Sequence, residues 1–238
     1  MEEQKNLYRI YVPSCGRAED THTFELLEDC VYVVRKSEEE AYKARGIPNV
    51  WAVKDNLINS YVKVSNYIND NAPEPIIVTM DDDLSYFLYR MDTNVKIEDK
   101  SVVMAEIERI AQLIYDLGIG FCAEDAAITP WNYISEFSFK GTTGAIRWYN
   151  KAVYKSRYDE KVYHNCDLDV MLHELLVNRI ILRPLYFCCQ AGTDTNRGGN
   201  SSKTRKEQED CVLEMKRKWG KYFDYDFKTN KPKIKVDR

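Results

Sequence analysis

Residues 76–84 read Ile-Ile-Val-Thr-Met-Asp-Asp-Asp-Leu, a short apolar run that stops abruptly at three consecutive carboxylates. The run is β-branched and uncharged, as in a strand covered on both faces, and open α/β sheets place their ligands beyond the carboxyl ends of such strands. Adjacent carboxylates repel one another, so a compact fold accommodates them where water or a divalent cation offsets the charge. In an extended chain Asp81 and Asp83 fall on one side and Asp82 on the other. Asp81 and Asp83 are therefore candidate metal ligands that hold an ion and, through it, a diphosphate. The competing reading is a solvated acidic turn.

Around this strand, strand-like and helix-like segments alternate. Residues 7–13 read as a first strand, followed by the polar turn Ser14-Cys15-Gly16-Arg17. A nucleotide can rest there, because glycine lets backbone approach a ligand closely and arginine pairs with phosphate or stacks on a base. Residues 21–27 read as a short helix, 30–34 as a second strand and 50–53 as a third. Between the last two, Ser37 and Glu40 have the spacing of a capping box, opening a helix through Ala44 that stops at Gly46. Over 56–68, Leu57, Ile58, Tyr61, Val64, Tyr67 and Ile68 recur at helical spacing. The polar side of that helix carries Asn59, Lys63 and Asn66, which either reach a base or phosphate or simply face water. The alternation predicts a single α/β domain, a wound mixed sheet flanked by helices.

In the second half, residues 86–91 continue as an extended segment and 92–100 as a surface connection. Residues 101–117 form the clearest helix, with Val102, Val103, Ile107, Ile110, Ala111 and Ile114 on one face and Gly118 as its stop. Segments 120–123, 136–139 and 144–149 read as strands or loop edges. The aromatic residues between 131 and 154 suit either an acceptor platform or a second core layer. His164-Asn165-Cys166-Asp167-Leu168-Asp169 then leads into an apolar helix. Asp167 can be its N-cap, worth about 1 kcal/mol, or Asp169 or Asp167 can face a cleft and take a proton from an acceptor hydroxyl.

Residues 192–206 contain no apolar anchor and four cations, Arg197, Lys203, Arg205 and Lys206. Such a segment is expected to be mobile without ligand and suited to close over a diphosphate. A helix over 207–219 precedes an irregular basic tail. Residues 215–238 carry nine Lys or Arg against three Asp, although the whole chain is at −4. The overall field disfavours coating a nucleic acid, but this end can touch a polyanion. No run has the length of a membrane span and the first residues are polar, so a cytoplasmic protein with no membrane contact is expected. Seven cysteines without a Cys-x-x-Cys pair imply reduced, mostly buried thiols.

Taken together, Pro-Ser-Cys-Gly-Arg after the first strand, the helix near 56–69, the strand ending Asp81-Asp82-Asp83 and the Asp167-Leu168-Asp169 helix start resemble glycosyltransferases of the GT-A fold. The sequence is most similar to the phage-type, TET-associated group, over roughly residues 8–199. This resemblance implies transfer of a sugar from a nucleotide-sugar, with a UDP carrier, onto 5-hydroxymethylcytosine in double-stranded DNA. It further implies that Pro13, Ser14, Gly16 and Arg17 line the base and ribose pocket. Asp81 and Asp83 would hold Mn²⁺ or Mg²⁺, with Asp82 nearer the ribose. It also implies that residues 7–91 form the nucleotide-sugar half, 92–206 the acceptor half with its closing loop, and 207–238 a C-terminal helix and tail. The only histidines are His22, His164 and His173, so the late histidine ligand of many relatives is missing, and diphosphate oxygens and water would complete the ion's shell.

Such a transfer needs positive charge at the leaving diphosphate, which the ion and the loop cations Arg197 and Lys203 supply, and a base for the attacking hydroxyl. Asp169 is the first candidate for that base and Asp167 the second, and either gives inversion at the anomeric carbon; a transfer that retains configuration needs neither as a base. Three other readings fit the same residues: transfer to a cell-surface glycan, a nucleotidyltransferase of related fold, and a non-catalytic binding module.

Overall fold

The computed structural model describes residues 6–126, 128–191, 204–229 and 231–236; Arg197 and Lys203 lie outside them. In chain order the elements are β1 (Tyr8–Pro13), β2 (Val31–Arg35), α1 (Glu39–Ala44), β3 (Val50–Val53), α2 (Tyr61–Asn71), β4 (Ile76–Met80), β5 (Tyr86–Arg90), β6 (Asn94–Ile97) and α3 (Lys100–Asp116). They continue as β7 (Phe121–Ala123), β8 (Phe137–Ser138), β9 (Ile146–Asn150), α4 (Cys166–Val177), β10 (Arg183–Pro184), β11 (Phe187–Gln190), α5 (Arg205–Trp219), β12 (Phe223–Asp226) and β13 (Lys231–Ile234).

The central sheet has the order β3-β2-β1-β4-β9-β7. Strands β1 to β4 are parallel, and β9 runs antiparallel to both β4 and β7. Every residue of β4 is buried, which explains its unbroken apolar run, since neither face meets water. On one face α1 and α3 bring Tyr42, Ile107, Ile110 and Ile114 against Ile10, Val34, Ile76 and Val78. On the other, α2, α4 and α5 bring Ile68, Val170, Leu175 and Met215 against Val33, Ile77, Phe121 and Tyr149. A three-stranded sheet, β11-β5-β6, adds to the first layer, its Phe87 and Phe187 rings stacking on each other within the same core cluster. The fold is the expected mixed α/β sheet flanked by helices. All seven cysteines are free, and of these only Cys15 is exposed.

Several local expectations are corrected. Helix α2 begins at Tyr61 rather than at residue 56, because the Ser60 hydroxyl caps it, accepting from the Lys63 N–H at 3.2 Å. Residues Asp55–Leu57 form a separate 3₁₀ turn that leaves Leu57 exposed. The Ser37 capping box does not form. A 3₁₀ turn, Lys36–Glu38, precedes α1, and the Ser37 N–H donates to Asp55 Oδ1 at 3.1 Å. The stretch read as a surface connection contains β6, paired with β5. A Thr204–Glu207 capping box opens α5, so Arg205 and Lys206 belong to that helix. The tail is not irregular, because β12 and β13 pair as a hairpin whose Phe223, Tyr225 and neighbouring Val236 are buried in the core.

Just beyond β7, Glu124 is buried and accepts from the N–H groups of Ala145 at 2.9 Å and Cys189 at 3.1 Å and from the Cys189 thiol at 3.2 Å. Gly144 makes room for it; a Cβ there would lie 2.3 Å from Glu124 Oε1. Burial pushes this carboxyl up to about 7 despite the three donors. Its folded pKa lies above the unfolded value of about 4.3. The stabilisation from the bound proton is therefore complete below about pH 4 and is lost as pH rises through 7. In urea melts from acid to pH 8, Glu124→Gln should remove a decline on the order of 3 kcal/mol. A variant profile as steep as the wild type's would contradict this.

Candidate active site

Strand order reverses between β1 and β4, and at such a switch point the loops after neighbouring strands separate and leave a crevice. The loop after β1 brings Ser14, Gly16 and Arg17 to this crevice, and the end of β4 brings the three aspartates. Asp82 turns inward. Its buried carboxylate accepts from the Ser14 hydroxyl and from both arms of Arg17, with Nε at 2.9 Å. The Tyr42 hydroxyl lies 2.6 Å from Ser14 Oγ, and the Asp82 carbonyl accepts from Thr21 Oγ1 at 2.8 Å and the His22 N–H at 3.0 Å. Burial raises the Asp82 pKa, while Arg17 and Ser14 favour its charged form. The Asp82 carboxylate thus pins the β1 loop in place, with its oxygens engaged by protein donors. Gly16 takes φ +70°, which glycine adopts without strain.

Asp81 and Asp83 are each only part-buried. Asp83 Oδ2 lies 3.7 Å from Arg17 Nη1. The Asp81 side chain is 35% exposed and its Oδ1 accepts from Arg147 Nη1 at 3.2 Å. The antiparallel register pairs Arg147 with Thr79, on the side of β4 that Asp81 shares. Arg147 also donates to the Tyr61 hydroxyl at 3.0 Å and, through Nη2, to Asp167 Oδ2 at 3.1 Å. Burial works against its charge, but Asp167, Tyr61 and Asp81 more than offset this and hold the guanidinium firmly protonated. For Asp81, burial and the neighbouring Asp167 and Asp83 push the pKa up to about 6, against the pull of Arg147. One buried cation thus joins a candidate metal ligand to a candidate base.

Asp167 is not the N-cap of α4; that position is Asn165, and Asp167 sits in the first turn. Its Oδ2 is held by Arg147, while Oδ1 is buried and has no hydrogen-bond partner among the described residues. The same side chain lines a cleft of about 400 Å³ with Thr142, Thr143, His164, Asn165, Leu168, Lys231 and Pro232. Asp169 is placed differently. It is buried, with Oδ2 2.7 Å from Lys218 Nζ and Oδ1 2.8 Å from Trp219 Nε1, so it fastens α5 to α4. Burial raises its pKa while Lys218 and Trp219 favour the charged form. Asp169→Asn should cost on the order of 1–3 kcal/mol in urea unfolding and leave the activity of the folded fraction intact. An unchanged stability with lost activity would overturn that placement.

The remaining sequence candidates divide as follows. Lys63 Nζ lies 3.6 Å from Glu160. Asn66 spans the backbone of Tyr158, donating to its carbonyl and accepting from its N–H, each at 3.0 Å, so both ends of its amide serve the fold. Of the aromatic residues near 131–154, Trp148 and Tyr149 are core, whereas Trp131 is 82% exposed. Arg147 and Tyr61 were not singled out as site residues. The available signal was a lone charged residue, the arginine, in the fully buried strand Ile-Arg-Trp-Tyr-Asn.

Among the described residues no group of three or more His, Cys, Asp or Glu is placed to hold a metal ion. The pair Asp81 and Asp83 nevertheless fits Mn²⁺ or Mg²⁺, because both offer hard carboxylate oxygens at the crevice and like charge for an ion to offset. Substrate oxygens and water would supply the rest of the shell.

No protein-family model and no curated relative matches the sequence. Solved structures do match. Glucosyl-3-phosphoglycerate synthase from Mycobacterium tuberculosis, in complex with Mn²⁺, UDP-glucose and phosphoglyceric acid, superposes with TM-score 0.54 at 8% identity, covering 95% of this chain and 86% of that one. The chain has a GT-A-like fold. The same synthase with Mg²⁺ and UDP gives TM-score 0.51 at 9% identity, with the same coverage. S. aureus TarS 1–349 gives 0.47 at 12% identity, and this chain, covered over 76% of its own length, spans 59% of it. Among the described residues no helix is long and apolar enough to cross a membrane.

Proposed function

We propose that this chain is a metal-dependent glycosyltransferase that moves a sugar from a UDP-linked donor to a hydroxyl acceptor. The observation that carries the reading is the Asp81–Arg147–Asp167 bridge beside the switch-point crevice. It sets a donor-side acid and an acceptor-side base on opposite arms of one guanidinium. The Mn²⁺ or Mg²⁺ and UDP of the fold neighbour are consistent with the donor half.

In this reading Pro13, Ser14, Gly16 and Arg17 cradle the nucleoside, and Asp82 acts by fixing Ser14 and Arg17. Asp81 and Asp83 hold the ion, which supplies Lewis-acid stabilisation of charge on the leaving diphosphate. Arg197 and Lys203 are assigned to that diphosphate by their charge in the sequence. Asp167 accepts the proton of the acceptor hydroxyl on its part-exposed carboxylate, which Arg147 orients through Oδ2. As the acceptor oxygen bonds to the anomeric carbon, the sugar–phosphate C–O bond breaks and its electron pair leaves on UDP, so configuration inverts. Asp167 is ranked ahead of Asp169 as the base, a reading supported by the engagement of both Asp169 oxygens by Lys218 and Trp219.

The acceptor we propose is 5-hydroxymethylcytosine in double-stranded DNA, in the cytoplasm, supported by the sequence resemblance and the basic C-terminal hairpin. The test is to incubate the protein with Mn²⁺, a panel of UDP-sugars and duplex DNA containing that base, then digest the DNA and weigh its nucleosides. A gain of one sugar mass that disappears on chelation is expected. Unmodified nucleosides beside a glycosylated glycan acceptor would move the acceptor to a surface glycan.

A further inference from the structure

The C-terminal hairpin contributes charge to the acceptor side of the site. Lys233 pairs with Asp226 at 3.4 Å, while Lys235 and Lys216 both pair with Asp224 at 3.0 Å. Lys231 is different: it is exposed, makes no ion pair among the described residues, and lines the same cleft as Asp167. The rest of that lining is hydroxyl, imidazole, amide and apolar, and its only carboxylate is Asp167, already bound to Arg147. An ammonium with no ion pair among the described residues, beside the Thr142 and Thr143 hydroxyls, makes a donor-rich wall suited to a phosphate. The body of the protein is net negative, so a polyanion is drawn to such a local patch rather than to the surface at large. The cleft's volume lies within the usual range of roughly 300–1,000 Å³ for ligand sites. It suits one nucleotide rather than a stacked duplex, as for enzymes that draw the target base out of the helix.

We infer that Lys231 binds a backbone phosphate of a nucleic-acid acceptor and positions the acceptor nucleotide in the cleft that ends at Asp167. This rests on the glycosyl-transfer reading above and adds the residue that selects a phosphodiester chain. Lys231 acts by charge, at a distance from the reacting atoms.

The test is fluorescence anisotropy of the full chain with fluorescein-labelled duplex DNA over a range of KCl, for the wild type, Lys231→Gln, Lys231→Arg and, as a control for net charge, Lys96→Gln. Lys96 lies on β6 and pairs with Glu98 at 3.1 Å. Loss of one phosphate contact should reduce the slope of log affinity against log salt by about 0.9. Lys231→Arg should restore it and Lys96→Gln should leave it unchanged. An unaltered slope in Lys231→Gln, an equal loss in Lys96→Gln, competition by polyglutamate as effective as by unlabelled DNA, or a wild type that binds no duplex would each overturn the inference. UDP binding with Mn²⁺ is measured in parallel. If UDP fails to bind, the donor reading is lost, and the salt slopes still decide the role of Lys231.

Discussion

Asp167→Asn should lower the turnover of sugar transfer by about 10²–10⁴-fold, the usual contribution of a positioned general base, with UDP affinity unchanged. Asparagine keeps an oxygen that can accept from Arg147, so the 3.1 Å contact to α4 survives the substitution. What is removed is the basicity of the carboxylate, which is part-exposed and lines the cleft. The comparison with Asp169→Asn sharpens the test. Both acids lie in the first turn of α4, yet one should lose chemistry without stability and the other stability without chemistry. Reading kcat, UDP affinity and the urea midpoint for both variants separates the roles. Equal kinetic losses in the two would contradict the assignment.

Asp83→Asn should abolish the metal-dependent part of UDP binding and lower turnover by at least about 10²-fold, the scale of losing one charge-stabilising contact to a leaving group. Asp83 is a cleaner probe than Asp81, because Asp81 also holds Arg147 and its removal would disturb Asp167. With the ion's ligand gone, UDP affinity in Mn²⁺ should fall to the value that the wild type shows in chelator. Retention of metal-enhanced binding would place the ion elsewhere.

The strand that carries the acids was legible because its signal is local. The unbroken apolar run of β4 marks a doubly covered strand, whereas the sharing of Arg17 by Asp82 and Asp83 is a tertiary contact that no period of two reveals. The acceptor side depends on contacts distant in sequence. Arg147 reaches Asp81 only because β9 pairs antiparallel with β4, a register that no local pattern reveals. The different placements of Asp167 and Asp169 are illegible in the sequence for a similar reason. Which acid of the first turn is engaged is decided by Lys218 and Trp219 at the end of α5, about fifty residues away. The hairpin is hidden in the sequence because Lys-Pro-Lys-Ile in β13 offers no alternating run of large apolar side chains; the apolar weight sits on its partner, in Phe223 and Tyr225. The start of α2 was placed too early because Leu57 and Ile58 continue the helical spacing across the Ser60 cap.

The most direct measurement is phosphorus NMR of a panel of UDP-sugars incubated with the wild type and Mg²⁺, with water as the slow acceptor. Attack at the anomeric carbon releases UDP, and the account predicts that UDP accumulates for at least one donor, stops on chelation and is strongly reduced in Asp83→Asn. Accumulation of UMP with sugar phosphate would mean attack at phosphorus, and would contradict sugar transfer at this site.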